Sequence, residues 1–282
     1  MEQLKSTSQK MFSHAIESNL KDQILSNAES ERDKARLNAV SMRHSGDWLN
    51  TVPVKALGLH LQSVEFITAV KYRLGVAVYP SSGLCKACNK ESDKFGDHAV
   101  GCPFEGERIY RHNSLRDCVH STAKTAALSP AKEEASLLPG SADKPADVFL
   151  PGWANGRHAA LDVTVVSPLQ VQLRKKAAEE KGSATNKRYD EKNTMYRAAC
   201  EREGIQFFPL VVETFGGWHP NSEVVITKLA KQLAAHTGNN PSEVTSHVYQ
   251  RLGILLPWGN SALITTRTPV FADPMVDGVL DM

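Results

Sequence analysis

The stretch from Asp143 to Ser167, DKPADVFLPGWANGRHAALDVTVVS, limits the possible folds more than any other part of the chain. Two apolar runs flank a polar, glycine-containing turn, the pattern of a β-hairpin. Each run holds one aspartate among hydrophobic neighbours, Asp147 in PADVFL and Asp162 in AALDVTVV. With the turn centred between Ala154 and Asn155, positions 147 and 162 are equidistant from the centre and face each other. Side chains so opposed have Cβ atoms roughly 4.5–5.5 Å apart, where like charges destabilise the pair. A cation between the carboxylates removes the repulsion, and hard divalent ions such as Mg²⁺ favour these oxygen ligands. The alternative reading has one aspartate capping the turn and the register shifted.

The chain's 282 residues suffice for one large or two modest cores. Hydrophobic residues make up 41% and charged residues 23%, a globular balance. The net charge is only +2, so any nucleic-acid face must come from local clustering. No apolar run approaches a membrane span and the opening MEQLKSTSQK lacks a signal-peptide core, so no membrane partner is expected. Five cysteines, three of them within eighteen residues, argue against a disulfide scaffold and for a reducing, intracellular compartment.

Four regions follow from the pattern. Residues 1–80 read as a helical region, with Met11, Phe12, Ile16, Leu20, Ile24 and Leu25 at helical spacing. A helix from Ser63 to Gly75 sets Phe66, Ile67, Val70 and Leu74 on one face. Residues 81–120 hold a metal-binding segment and a basic helix beginning near Asn113. Residues 121–256 hold the hairpin, a helical stretch over 169–203 with Gly182 as a break, and a third strand over 205–214. Helices from Ser222 to His236 and from Pro241 to about Gly253 close the region. That order gives an α/β fold with a mixed sheet flanked by helices. Residues 257–282 read as a tail. Glu213, at the end of the third strand, could join the aspartates' site, although a strand-end carboxylate is usually solvated; Cys118 and Cys200 are expected to be ordinary helix residues.

In CKACNKESDKFGDHAVGC, Cys85 and Cys88 are spaced so that a tight turn aims both sulfurs at one point, and His98 and Cys102 follow. Three thiolates and an imidazole make a closed tetrahedral site, the structural type for Zn²⁺. So short and polar a segment cannot build its own core, and metal binding would supply its folding energy. The alternative is three unrelated buried cysteines and a surface histidine. Next to it, Arg108, Arg111, His112 and Arg116 cluster around Tyr110, a patch suited to phosphate contacts or else simply a solvated helix face.

Taken together, CKAC…DHAVGC, RHN, KPADVFLPGW, ALDVTVVSP, KRYD and FFPLVVETFGGW resemble the C-terminal part of non-LTR retrotransposon proteins that carry a restriction-like endonuclease. The resemblance spans residues 45–236. In that family a CCHC zinc segment follows a reverse transcriptase and precedes a PD-(D/E)xK nuclease, which nicks target DNA so that the polymerase can extend the freed 3′ end. The resemblance implies a restriction-endonuclease-like sheet, structural zinc, catalytic magnesium and a nuclear location. Pro145-Ala146-Asp147 stands for the family's Pro-Asp with one extra residue between, and Asp162 for the second metal-binding carboxylate. The wider superfamily places a lysine two residues after that acid, where this chain has Thr164. The similar retrotransposon enzymes place it on the following helix near a tyrosine, which makes Lys187 the first candidate and Lys181 the second. Glu133, on the preceding helix, matches the acid that completes the metal site.

No Tyr-x-Asp-Asp polymerase motif occurs, and residues 45–80 look like the link between polymerase and zinc motif. The expected partners are therefore DNA, element RNA, and a reverse transcriptase acting in cis or in trans. The expectation from the resemblance is a Mg²⁺-dependent endonuclease. The competing expectations are a zinc-containing nucleic-acid-binding module that cuts nothing, or a decayed remnant.

Overall fold

The computed structural model of the protein describes residues 9–104, 106–135, 137–140 and 144–269. The chain's first eight residues, Asp143, and the part of the expected tail after residue 269 lie outside the described residues.

The N-terminal region forms α1 (Gln9–Ser26), α2 (Glu31–Val40) and α3 (Ser63–Leu74). The periodic residues of α1 form a stripe, but Phe12, Ile16, Leu20 and Ile24 all remain more than half exposed. In α3 the expected face also differs: Ala69 and Tyr72 are buried, while Phe66, Ile67 and Leu74 are exposed. Tyr72 is turned inward by stacking on Phe215, ring centres 4.8 Å apart. Two short strands, β1 (Gly83–Leu84) and β2 (Glu91–Ser92), and the one-turn α4 (Asp97–Gly101) form the cysteine-rich segment. It leads into α5 (Glu107–Thr125), which starts about a turn and a half earlier than expected.

After a short β3 (Ala131–Lys132) comes the hairpin, β4 (Val148–Ala154) and β5 (Arg157–Val166). Its two turn residues are Asn155 and Gly156, both at positive φ, +51° and +75°. That is the type I′ pattern, whose twist matches that of the strands. The turn centre is thus one residue later than expected. However, β4 also bulges: Leu150 pairs with Ala159 and Ala154 with Arg157, so four steps on β4 span two on β5. The two displacements cancel. The pair Val148↔Leu161 follows, where the register ends; Asp147, just before β4, donates its N–H to the Leu161 carbonyl at 2.9 Å.

Helices α6 (Val171–Glu179) and α7 (Ser183–Arg202), separated at Gly182, carry the chain over the sheet to β6 (Ile205–Glu213). β6 pairs parallel with β5, Asp162 beside Pro209, as a helical crossover requires. The result is a four-stranded mixed sheet in the order β3-β4-β5-β6. Its apolar residues Val148, Leu150, Leu161, Val163, Leu210 and Val212 pack with Leu115 and Val119 of α5 and with two further helices, α8 (Pro220–Thr237) and α9 (Pro241–Thr266). On the other side, Val166 and Val211 pack with Ala184 and Tyr189 of α7, and Ala160 and Phe207 with its Cys200. The sheet is therefore flanked by helices on both faces, the mixed α/β class.

Helix α9 differs from expectation at its end. It passes through Pro257 and continues to Thr266, so residues expected to begin a tail are core: Leu263 and Ile264 are buried and Arg267 is 0% exposed. A helix-interior proline loses one hydrogen bond, and here the buried apolar residues on both sides of it hold the helix in place. No helix among the described residues is long and apolar enough to cross a membrane.

Candidate metal centre and acid–lysine site

The cysteine-rich segment brings its four expected ligands together. The ligand atoms of Cys85, Cys88, His98 and Cys102 all lie within 4.8 Å of one another. Cys85 Sγ is 4.0 Å from Cys102 Sγ, and Cys88 Sγ is 3.2 Å from His98 Nε2. Tetrahedral zinc with bonds of about 2.3 Å to sulfur sets neighbouring sulfurs about 3.8 Å apart. The cluster can hold a metal ion, and its donors and spacing are consistent with zinc. Asp93 aims the histidine: its carboxylate accepts from the backbone N–H groups of Phe95, Asp97 and His98 at 2.9, 3.1 and 2.8 Å, capping α4. Among the described residues, no other group of three or more His, Cys, Asp or Glu side chains converges in this way.

The second site forms where the hairpin meets α5 and α7. Asp147 Oδ2 accepts the Val163 N–H at 2.6 Å, and Asp147 Oδ1 lies 3.1 Å from His112 Nε2 on α5. Asp162 Oδ1 lies 2.9 Å from Lys192 Nζ on α7, and its Oδ2 accepts from Thr164 Oγ1 at 3.1 Å. All four carboxylate oxygens therefore have a partner. Burial pushes the Asp162 carboxyl above the usual carboxylate range and Asp147 adds to the push, while Lys192 and Thr164 oppose it. At His112 burial disfavours the imidazolium, but the hydrogen bond and charge of Asp147, with the charge of Asp162, carry the net shift upward.

The lysine at this site is Lys192. Lys187 is exposed on α7, Lys181 is exposed in the α6–α7 connection, and neither forms an ion pair among the described residues. The signal for Lys192 was present in the sequence. Thr185, Tyr189, Lys192, Tyr196 and Cys200 recur at three- and four-residue spacing, one helical stripe, and Thr185, Tyr189 and Cys200 are buried. A lysine on the inward stripe of a helix requires an acidic partner. Lys192 also lies 5.6 Å from the Tyr196 ring centre. Beyond it opens a cleft of about 810 Å³ lined by Lys176, Lys187, Arg188 and Lys192, with Glu180 and Glu191 among its acidic neighbours.

Glu133 is placed differently from the expectation of a preceding helix. It lies just after β3 with φ +47°, donates its N–H to the Asp147 carbonyl at 3.1 Å, and is exposed. Its carboxylate pairs with Arg116, which also holds Asp117 at 3.0 Å. The four residues expected to face phosphate are mostly occupied elsewhere. Arg111 is 3% exposed, with its Nη1 donating to Asn260 Oδ1 at 2.6 Å, and Asn260 in turn donates to the Thr214 carbonyl at 2.7 Å. Arg108 donates to the Gly101 carbonyl at 3.3 Å, Arg116 is held by acids, and His112 by Asp147. Glu213 is not solvated but 1% exposed. No family model matches the chain, and no curated protein matches it.

Proposed function

We propose that the protein is a metal-dependent DNA endonuclease of the restriction-like kind, with structural zinc in the Cys85–Cys88–His98–Cys102 cluster. The observation that carries the reading is the 2.9 Å pair between Lys192 and Asp162, with Asp147 held beside it by the N–H of the next residue, Val163. Two acids from adjacent strands and a lysine from the crossover helix are the side chains that phosphodiester hydrolysis needs together. The oxygen-only donors of the two aspartates, whose mutual repulsion adds to the burial that raises the Asp162 carboxyl, suit a hard divalent cation. When bound, such an ion lowers the pKa of a nucleophilic water and polarises the phosphoryl oxygen.

Lys192 holds a fixed positive charge where negative charge develops on the phosphoryl oxygens, and Asp162 keeps it there. Thr164, in place of the superfamily lysine, orients Asp162 and leaves the cationic role to α7. The cleft beside Lys192 gives a strand's phosphates a partly basic wall. A reverse transcriptase, in the same chain or another, would use the nicked end.

The test is nicking of supercoiled plasmid by zinc-loaded protein in Mg²⁺, with EDTA as control and with Asp162→Ala, Lys192→Ala and Lys187→Ala measured in parallel. Losing one preorganised group typically lowers the rate by about 10²–10³. That loss is expected for Asp162→Ala and Lys192→Ala, and a change within about threefold for Lys187→Ala. No nicking by folded wild-type protein in Mg²⁺ or Mn²⁺, on single- or double-stranded DNA, would sink the enzyme.

A further inference from the structure

We infer that His112 is a positioning residue for the divalent-cation site, acting through Asp147 rather than on phosphate. The inference rests on the reading of Asp147 and Asp162 as cation ligands. With a carboxylate oxygen as acceptor, the 3.1 Å contact is a hydrogen bond donated by His112 Nε2 to Asp147 Oδ1. The Val163 N–H fixes the other oxygen at 2.6 Å, so backbone and imidazole together hold the carboxylate plane.

The two donors differ in origin. Val163 belongs to the hairpin itself and is present in any register-correct sheet, whereas His112 comes from α5, 35 residues away in sequence. Helix α5 is well placed to impose a fixed geometry. Leu115, Cys118, Val119 and Ala123 anchor it in the core under the hairpin, and Arg116, one turn after His112, pairs with Glu133. His112 is thus supported by its own helix on the side of the site opposite Lys192, and its side chain is about one-third exposed. The arrangement is symmetric in logic: Lys192 and Thr164 hold Asp162, and His112 and Val163 hold Asp147. Among the described residues, only His112 and Lys192 reach in from helices outside the sheet. Outer partners that orient a metal-binding carboxylate are typically worth about 10–100-fold in metal affinity.

The experiment is equilibrium Mn²⁺ binding to the full, zinc-loaded chain, read by the loss of the free-Mn²⁺ electron paramagnetic resonance signal. It compares wild type, His112→Ala and His112→Gln, with far-ultraviolet circular dichroism and melting curves to match their folds. His112→Ala is expected to weaken Mn²⁺ binding about 10–100-fold. His112→Gln, which retains an N–H donor on a side chain of similar reach, is expected to recover most of the loss. Unchanged Mn²⁺ affinity in His112→Ala overturns the inference. Equal weakening in both variants also overturns it, since the donor would then not matter. Wild type that binds no Mn²⁺ sensitive to Asp147→Asn overturns it as well. Tight, His112-dependent Mn²⁺ binding without nicking separates the two readings: it upholds the positioning role while the endonuclease fails.

Discussion

At the end of β6 the Glu213 carboxyl is 1% exposed, and no protein hydrogen bond reaches its Oε2. Burial alone pushes its pKa to about 8, from 4.5 for a free glutamate. A carboxyl raised in the folded state stabilises the fold fully below its unfolded pKa and loses that contribution as pH rises through the folded value. Between pH 5 and 8 this one group is therefore expected to remove on the order of 3 kcal/mol of stability. Glu213→Gln should flatten that slope, checked by denaturant unfolding of both proteins at the two pH values. A variant with the same pH slope as wild type would show that Glu213 ionises at no cost in the fold. The residue lay in plain view as a strand-end acid, but strand ends are ordinarily wet, and its burial depends on packing that no local pattern encodes. Lys192 is the contrasting case. Its place on the stripe of Tyr189, Tyr196 and Cys200 was legible, whereas Lys187, favoured for its nearness to a tyrosine in sequence, is out of phase with that stripe and exposed.

The hairpin is where element-scale reasoning met the structure most closely, and for a compound reason. Placing the turn one residue early was offset by the two extra residues of β4, so the Val148↔Leu161 register beside the aspartates emerged from two errors of opposite sense. The Asn155-Gly156 pair encodes its turn directly, whereas the bulge around Gly152, at φ +65°, leaves no comparable signature in PGWA. If the bulge sets the site, the two glycines should behave differently. Gly156→Ala forces an alanine into the left-handed region and is expected to cost about 1–2 kcal/mol with Mn²⁺ affinity unchanged. Deleting Gly152 moves Asp147 by one position against β5, which reverses the face of every residue before the bulge. That protein, provided its circular dichroism remains wild-type, is expected to lose Mn²⁺ binding. Binding retained by a folded deletion variant would mean the register repairs itself elsewhere and the bulge is incidental.

Across the whole molecule the cysteine cluster acts as a junction. Arg32 of α2 reaches Asp97 of α4 through two hydrogen bonds of 2.6 and 2.9 Å, and Tyr79 donates to the Ile264 carbonyl of α9 at 2.6 Å. The buried Arg267, just past α9, binds the Phe104 carbonyl and, at 2.8 Å, Glu107 at the start of α5. The proline at 257 suggested a chain end, but these long-range contacts are what make residues up to 267 structural. Removing metal from the cluster should therefore not stay local. A segment with so little core would draw its folding energy from a bound ion, and losing that ion would untie three helices from one another. Hydrogen exchange of chelated against zinc-loaded protein should show protection lost over residues 83–102, the first turns of α5 and the last two turns of α9, with β4, β5 and β6 retaining theirs. Because α5 also carries His112, Mn²⁺ affinity at the aspartates should fall in the same sample. Protection lost from residues 83–102 alone, with Mn²⁺ binding intact, would reduce the cluster to an isolated staple. Losses that reach α5 and α9 would make the cluster the joint through which the N-terminal helices, the last helix and the acid–lysine site share one stability.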